Sequence, residues 1–296
     1  GLTIASIILG VLLGGQLVGP HLSPWLLAID LPGIETSIDT PPEAAIASLV
    51  LVYAIAAAIN LRIPHTGVRM RPLPDRTLSL LPDFWHCNAR LWRDKLGQIS
   101  LATTTLFWGV SGNMRYIVLA WAAAALHYST TQAAGLVGVV AIGTAVGAVL
   151  ASMRVRLDRA IGVMPLGVLM GALVVLMVFV DRLWLAVPFL IFMGALGGYI
   201  VVPMNALLQH RGHNLMGAGR SIAVQNFNEQ ACILGLGALY SASAGVGLSA
   251  FGAIALFGAV VIAFMLLIQR WHRHNLRRYP GKVERLLNIA RRDRGH

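Results

Sequence analysis

Apolar residues fall into eight long blocks along this chain, near positions 2–19, 43–63, 99–125, 133–153, 161–180, 184–208, 219–245 and 249–271. A helix needs roughly 20 mostly apolar residues to cross a bilayer, so each block predicts one transmembrane helix. The expected fold class is therefore an all-α integral membrane protein with about eight transmembrane helices. A polar stretch from Pro64 to Asp83, with Pro72, Pro74 and Pro82, interrupts this rhythm and predicts a linker. After Pro82 the run DFWHCNARLWRDKLGQ brings Phe84, Trp85, Trp92 and Leu96 near one helical face, with Arg90, Arg93 and Lys95 elsewhere. That pattern predicts an amphipathic helix lying on the membrane between two bundles.

The polar connections differ in charge, and the difference orients the chain. Residues 20–42 carry Asp30, Glu35 and Asp39 with no Lys or Arg, and the connections at 127–132 and 246–248 are uncharged. All of the 23 Lys and Arg residues except Arg115 and Arg182 fall on the opposite set: the connections at 62–98, 154–160 and 210–220, and the tail from Arg270. Basic residues accumulate on cytoplasmic loops, so both ends of the chain are expected in the cytoplasm. The same reasoning accounts for the net charge of +11, which in a soluble domain would suggest nucleic acid. Composition agrees, at 57% hydrophobic and 12% charged against about 25% charged in soluble proteins.

Four segments follow: 1–63 with two helices, 64–98 as a cytoplasmic linker with an amphipathic helix, 99–271 as a six-helix bundle, and 272–296 as a basic tail. In major-facilitator-type transporters one long linker joins two six-helix halves that hold substrate near the midplane. On that template the chain supplies helices five to twelve of twelve. A chain that begins at Gly1, with no basic n-region before its first apolar run, reads as incomplete rather than as carrying a signal peptide. Small residues recur at packing spacings, as Gly10 with Gly14, Gly15 with Gly19, Gly143 with Gly147, and Gly194 with Gly197 and Gly198. Gly197, Gly198 and Pro203 would also loosen a helix and allow bending during gating, with static packing the alternative.

A charge at the bilayer centre costs about 2.5–3.5 kcal/mol on insertion scales, so Arg115 and Glu229 are expected to face a cavity or a partner. Thr104, Trp108, Ser111 and Arg115 follow at i, i+4, i+7 and i+11, a polar-aromatic stripe on one helix face. Ser221, Gln225 and Glu229 form a second stripe, with Asn226, Asn228 and Gln230 beside it. Two readings stay open. Arg115 and Glu229 form a buried ion pair that fixes helix packing, or they contact a zwitterionic or anionic substrate, since arginine matches phosphate bidentately and a glutamate pairs with ammonium. Asn205 and Gln209 are further substrate candidates, with interhelical hydrogen bonding the commoner use of such residues. His210 and His213 are assigned to a solvated connection. Arg154, Arg156, Asp158 and Arg159 are expected to anchor to head groups or a neighbouring helix end, and the tail to be drawn to anionic membrane lipid. Cys87 and Cys232 are expected as free thiols. There is no Walker-type glycine loop and no Cys/His cluster with metal-ligand spacing, so no cofactor, no metal and no enzymatic chemistry are expected.

The segments TLFWGVSGNMRYIVLAW, GGYIVVPMNALLQHRG and especially GAGRSIAVQNFNEQ resemble helices seven, ten and eleven of bacterial lysophospholipid transporters, a branch of the major facilitator superfamily. The resemblance covers nearly all of the chain and weakens at 20–42 and in the tail. It implies a multi-pass protein of the bacterial inner membrane. Such a protein flips lysophosphatidylethanolamine and lysophosphatidylglycerol by alternating access, for reacylation by a cytoplasmic acyltransferase and acyl-carrier-protein synthetase. It also implies that Arg115 stands at the family's arginine in the FWG…R motif, Glu229 at its glutamate, and Gln225 and Asn226 at the QN before it. Two other readings of the sequence are a major-facilitator exporter of drugs or small amphipathic metabolites and a membrane scaffold that recruits an acyltransferase.

Overall fold

The computed structural model describes Leu27, residues 40–63 and residues 80–292. Nine α-helices occur among them, and no strand. The expected helix at 2–19, the acidic stretch at 20–39, Gly10, Gly14, Gly15 and Gly19, and the proline-rich stretch at 64–79 lie outside the described residues. The chain divides into two compact units, residues 2–77 and residues 78–296.

In the first unit, α1 spans Pro41–Asn60. Prolines at its first turn need no intrahelical donor, and the backbone N–H of Thr40 donates to the Glu43 carboxylate at 3.0 Å, which starts the helix cleanly. From Leu49 to Ile59 its apolar side chains are exposed around the whole circumference. A helix apolar on every side is a membrane span rather than the edge of a soluble core.

In the second unit, α2 (Leu80–Arg93), α3 (Gly97–Ala125), α4 (Thr130–Arg154), α5 (Met164–Leu176), α6 (Leu183–Met216), α7 (Ala218–Gly245), α8 (Ala250–Arg278) and α9 (Pro280–Arg292) follow in order. 3₁₀ segments extend α5 at both ends, over two turns at Leu157–Val163 and one at Met177–Phe179. Among the described residues five stretches are long and apolar enough to cross a membrane: α1, α4, α5 with its extensions, α6 and α8. α3 and α7 have 29 and 28 residues, equal to that task in length, and carry the polar stripes instead. The protein is a multi-pass membrane helix bundle.

Small residues set the tightest helix contact. A Cβ on Gly143 or Gly147 of α4 would strike the carbonyl oxygens of Ile191 or Ala195 on α6, and one on Gly194 or Gly198 would strike those of Val140 or Thr144. The two backbones approach as small-xxx-small faces allow. Gly197 looks the other way, toward the Phe107 ring of α3. α3 runs through the core, with Ile99, Ile117, Val118 and Trp121 fully buried, and the Trp121 indole donates to the Val180 carbonyl at 3.2 Å.

Three sequence expectations change. The amphipathic helix docks on protein: Cys87 and Leu91 of α2 are buried against Leu101, Leu208 and Val224, and Trp92 stacks on Trp271 with ring centroids 6.0 Å apart. Leu80, Leu81 and Trp85 stay about half exposed, and Leu96 lies beyond the helix end, at the start of α3. The connection expected at 210–220 shrinks to Gly217, because α6 continues to Met216 and α7 begins at Ala218. His210 and His213 are therefore helical, and Gly217, at φ 84°, makes the turn that a side chain would resist. The tail is not a loose polybasic segment: α8 runs past residue 271 to Arg278, and α9 buries Val283 and Ala290. Asp158 joins Arg156 at 3.3 Å and Arg291 of α9 at 3.1 Å, so the basic turn after α4 anchors to a neighbouring helix.

Candidate functional site

Helical spacing brings both stripes into the second unit, and the neighbouring helices then treat their members differently. Thr104 is fully buried, its hydroxyl donating to the carbonyls of Ser100 and Leu101 at 3.0 and 3.1 Å. Such back-bonding satisfies the hydroxyl within its own helix. Trp108 and Ser111, one and two turns on, are half buried, and the Trp108 Nε1 is enclosed without a hydrogen-bond partner among the described residues. Arg115 ends the stripe exposed. Its guanidinium donates to the Tyr116 hydroxyl at 2.7 Å and lies 4.7 Å from that ring's centre.

The second stripe is a hydrogen-bonded cluster. Gln225 Nε2 donates to Glu229 Oε1 at 2.8 Å and to Asn205 Oδ1 of α6 at 2.8 Å. Gln225 and Glu229 are buried and Asn205 is half buried. Gln225 Oε1 has no partner among the described residues. Asn226 points away from this cluster and is exposed, as are Gln230 and Gln209. Gly198 and Pro203 are buried on α6, Gly198 in the contact with α4.

Arg115 and Glu229 are not an ion pair. The pairs among the described residues join Arg156 and Arg291 to Asp158, Arg211 to Asp94, and Arg220 to Asp83. The ion-pair reading is overturned for a physical reason: Arg115 is exposed, and Glu229 spends its nearer oxygen on Gln225. The guanidinium is thus left with a phenol and a π face, and the carboxylate with one amide donor. Each retains capacity for a ligand.

Three features were missed by sequence reasoning. Asp94, in the run expected to form the amphipathic helix, and Arg211, assigned to a connection, form a bidentate pair at 2.7 and 3.2 Å with side chains 9% and 5% exposed. The same Asp94 oxygen accepts from the backbone N–H groups of Gly97 and Leu96 at 2.7 and 3.3 Å, capping α3. Aspartate three residues before a helix start is the legible cue. Asn113 Nδ2 donates to the carbonyls of Gly109 at 2.8 Å and Ile233 at 3.0 Å, tying α3 to α7. Asn228 accepts from the Trp92 indole at 3.2 Å and donates to Asn88 at 2.9 Å, tying α7 to α2. Cys87 and Cys232 are free thiols. Among the described residues no group of His, Cys, Asp and Glu is arranged to hold a metal ion.

The chain is 36% identical over 240 residues to Lysophospholipid transporter LplT of Yersinia pestis (strain Pestoides F), and equally to that of Yersinia pseudotuberculosis serotype O:3 (strain YPIII). The match covers 81% of this chain and 54% of each relative. No family model and no solved structure matches. With that identity over most of its length, the chain belongs to the bacterial lysophospholipid transporter family and spans about half the length of the curated relatives it matches.

Proposed function

We propose that this chain forms part of a lysophospholipid transporter of the bacterial inner membrane, with no catalytic chemistry of its own. It moves lysophosphatidylethanolamine and lysophosphatidylglycerol between leaflets by alternating access, for reacylation by a cytoplasmic acyltransferase. The observation that supports it most directly is the separation of the two charges: Arg115 meets no carboxylate among the described residues, while Glu229 is held within an amide cluster. An exposed guanidinium suits the phosphodiester, which it can grip through two donors. Glu229, with Gln225 and Asn205 beside it, suits the ammonium or hydroxyls of the head group. Trp108 and Ser111, between the buried and exposed ends of their stripe, extend the same surface. Gly197 and Pro203 are the positions at which α6 is proposed to flex during gating, since Pro203 cannot donate to the carbonyl one turn back. Asn226 takes its role only from its place in the QN motif.

The test is leaflet-resolved uptake of labelled lysolipid by spheroplasts expressing the protein. Arg115→Lys should reduce uptake about 10- to 100-fold, the equivalent of one charge-assisted hydrogen bond of about 1.5–3 kcal/mol, with membrane-inserted protein undiminished. Unaltered uptake would remove Arg115 from the phosphate contact.

A further inference from the structure

Where α8 leaves its apolar stretch, lipid-facing residues give way to arginines on the same face. Leu266 and Leu267 are 50% and 59% exposed. Arg270, Arg273 and Arg277 follow Leu266 at i+4, i+7 and i+11, all exposed, with His274 beside them. Leu266, Gln269, Arg270, Arg273, His274 and Arg277 line one depression. Gln269 and Arg273 also border a second, with Ile161, Met164, Pro165 and His272. Gln269 Nε2 donates to the Met164 carbonyl at 3.3 Å, so the start of α5 forms a fixed wall there.

α8 carries no Asp or Glu, and none of the three arginines joins an ion pair among the described residues. At 1.5 Å per residue, Arg270 and Arg273 lie about 6 and 10 Å along the axis from Leu266. The head-group layer beyond the hydrocarbon is roughly 5–7 Å deep on each side. Apolar contact and unpaired guanidinium groups therefore adjoin at the depth of lipid phosphates. We propose that this stripe is a binding site for an anionic phospholipid of the bilayer, its phosphate held by Arg270 and Arg273, with Arg277, about 16 Å along the axis from Leu266, adding attraction from beyond the head group, and its acyl chain lying against Leu266. The site is distinct from the Arg115–Glu229 region and does not depend on the transport reading.

The experiment is native mass spectrometry of the detergent-purified protein titrated with dioleoyl phosphatidylglycerol, with dioleoyl phosphatidylcholine and inorganic phosphate as separate arms. Phosphatidylglycerol should be retained preferentially, and Arg270→Gln/Arg273→Gln/Arg277→Gln should lower its occupancy at least about tenfold, since each basic residue near an anionic surface contributes. Arg278→Gln/Lys282→Gln/Arg285→Gln removes as much charge off the stripe and should change occupancy less than about twofold. All six side chains are exposed, so both variants should elute as the parent does. An equal fall in the two variants, no fall in the first, or equal retention of phosphatidylcholine would overturn the proposal. Displacement of phosphatidylglycerol by millimolar inorganic phosphate would also overturn it, because the site would then serve the free anion.

Discussion

Arg115 and Glu229 stand out in the sequence because an ionised side chain inside an apolar helix demands a reason. Their partners could not be read there. Helical spacing places Gln225 one turn before Glu229, but the reach of Gln225 to Asn205 depends on the rotation of α6 against α7. Glu229→Gln keeps the shape and removes the charge, so folded protein should persist while uptake of phosphatidylethanolamine-type lysolipid falls more than that of the glycerol type. Equal losses would remove Glu229 from the ammonium contact, and side-by-side uptake of the two labelled lipids measures it. The pair with the larger structural consequence is Asp94–Arg211, buried and bidentate. Arg211→Met leaves the Asp94 charge sheltered without its partner, and should destabilise the protein by about 3–5 kcal/mol. Asp94→Asn should cost less, because an amide oxygen still caps α3. Thermal unfolding in detergent ranks the two.

Helices were legible one at a time, and their contacts were not. The glycine spacings on α4 and α6 announce close packing, which the structure places between those two helices. Gly147→Leu and Gly198→Leu should each cost about 1–3 kcal/mol or more, because the new side chain meets a backbone carbonyl that cannot swing aside. Gly235→Ala, on α7 with nothing within reach of a new Cβ, should be neutral or stabilising by up to about 1 kcal/mol. Melting temperatures of the three variants measure the contrast. If Gly198→Ala abolished uptake without lowering the melting temperature, bending rather than packing would be its role. α2 shows the limit of pattern reading: its amphipathy was plain, yet an apolar face does not say whether lipid or protein covers it. Phe227 on α7 decides the matter locally, meeting the Phe84 and Trp85 rings at 5.1 and 5.5 Å.

For the whole molecule, α9 is the element whose role most needs testing, since the tail was expected to meet lipid or recruit an acyltransferase. Its ties to the bundle are the buried Val283 and Ala290 and the Asp158–Arg291 pair, whose arginine is 56% exposed, so that the pair itself contributes under about 1 kcal/mol. Removing residues 280–296 spares α8 and should cost about 1.5–3 kcal/mol, chiefly through the lost burial of Val283, which a lowered melting temperature measures. Co-purification of an acyltransferase with and without that segment tests the recruiting role, and unchanged association would end it. What the sequence alone determined is what each helix decides by itself: membrane residence, helix number within the apolar runs, the presence of two polar stripes and the family motifs. These follow from composition and from a fixed 3.6-residue period, so no neighbour is needed to read them. Only the tertiary structure decided that Arg115 and Glu229 are apart, that Asp94 clamps Arg211, that α2 and α9 lie on protein, and that arginines of α8 continue a lipid-facing leucine surface. Each of these depends on the rotation and depth of one helix against another, and hydrogen-bond and ion-pair geometry changes with both.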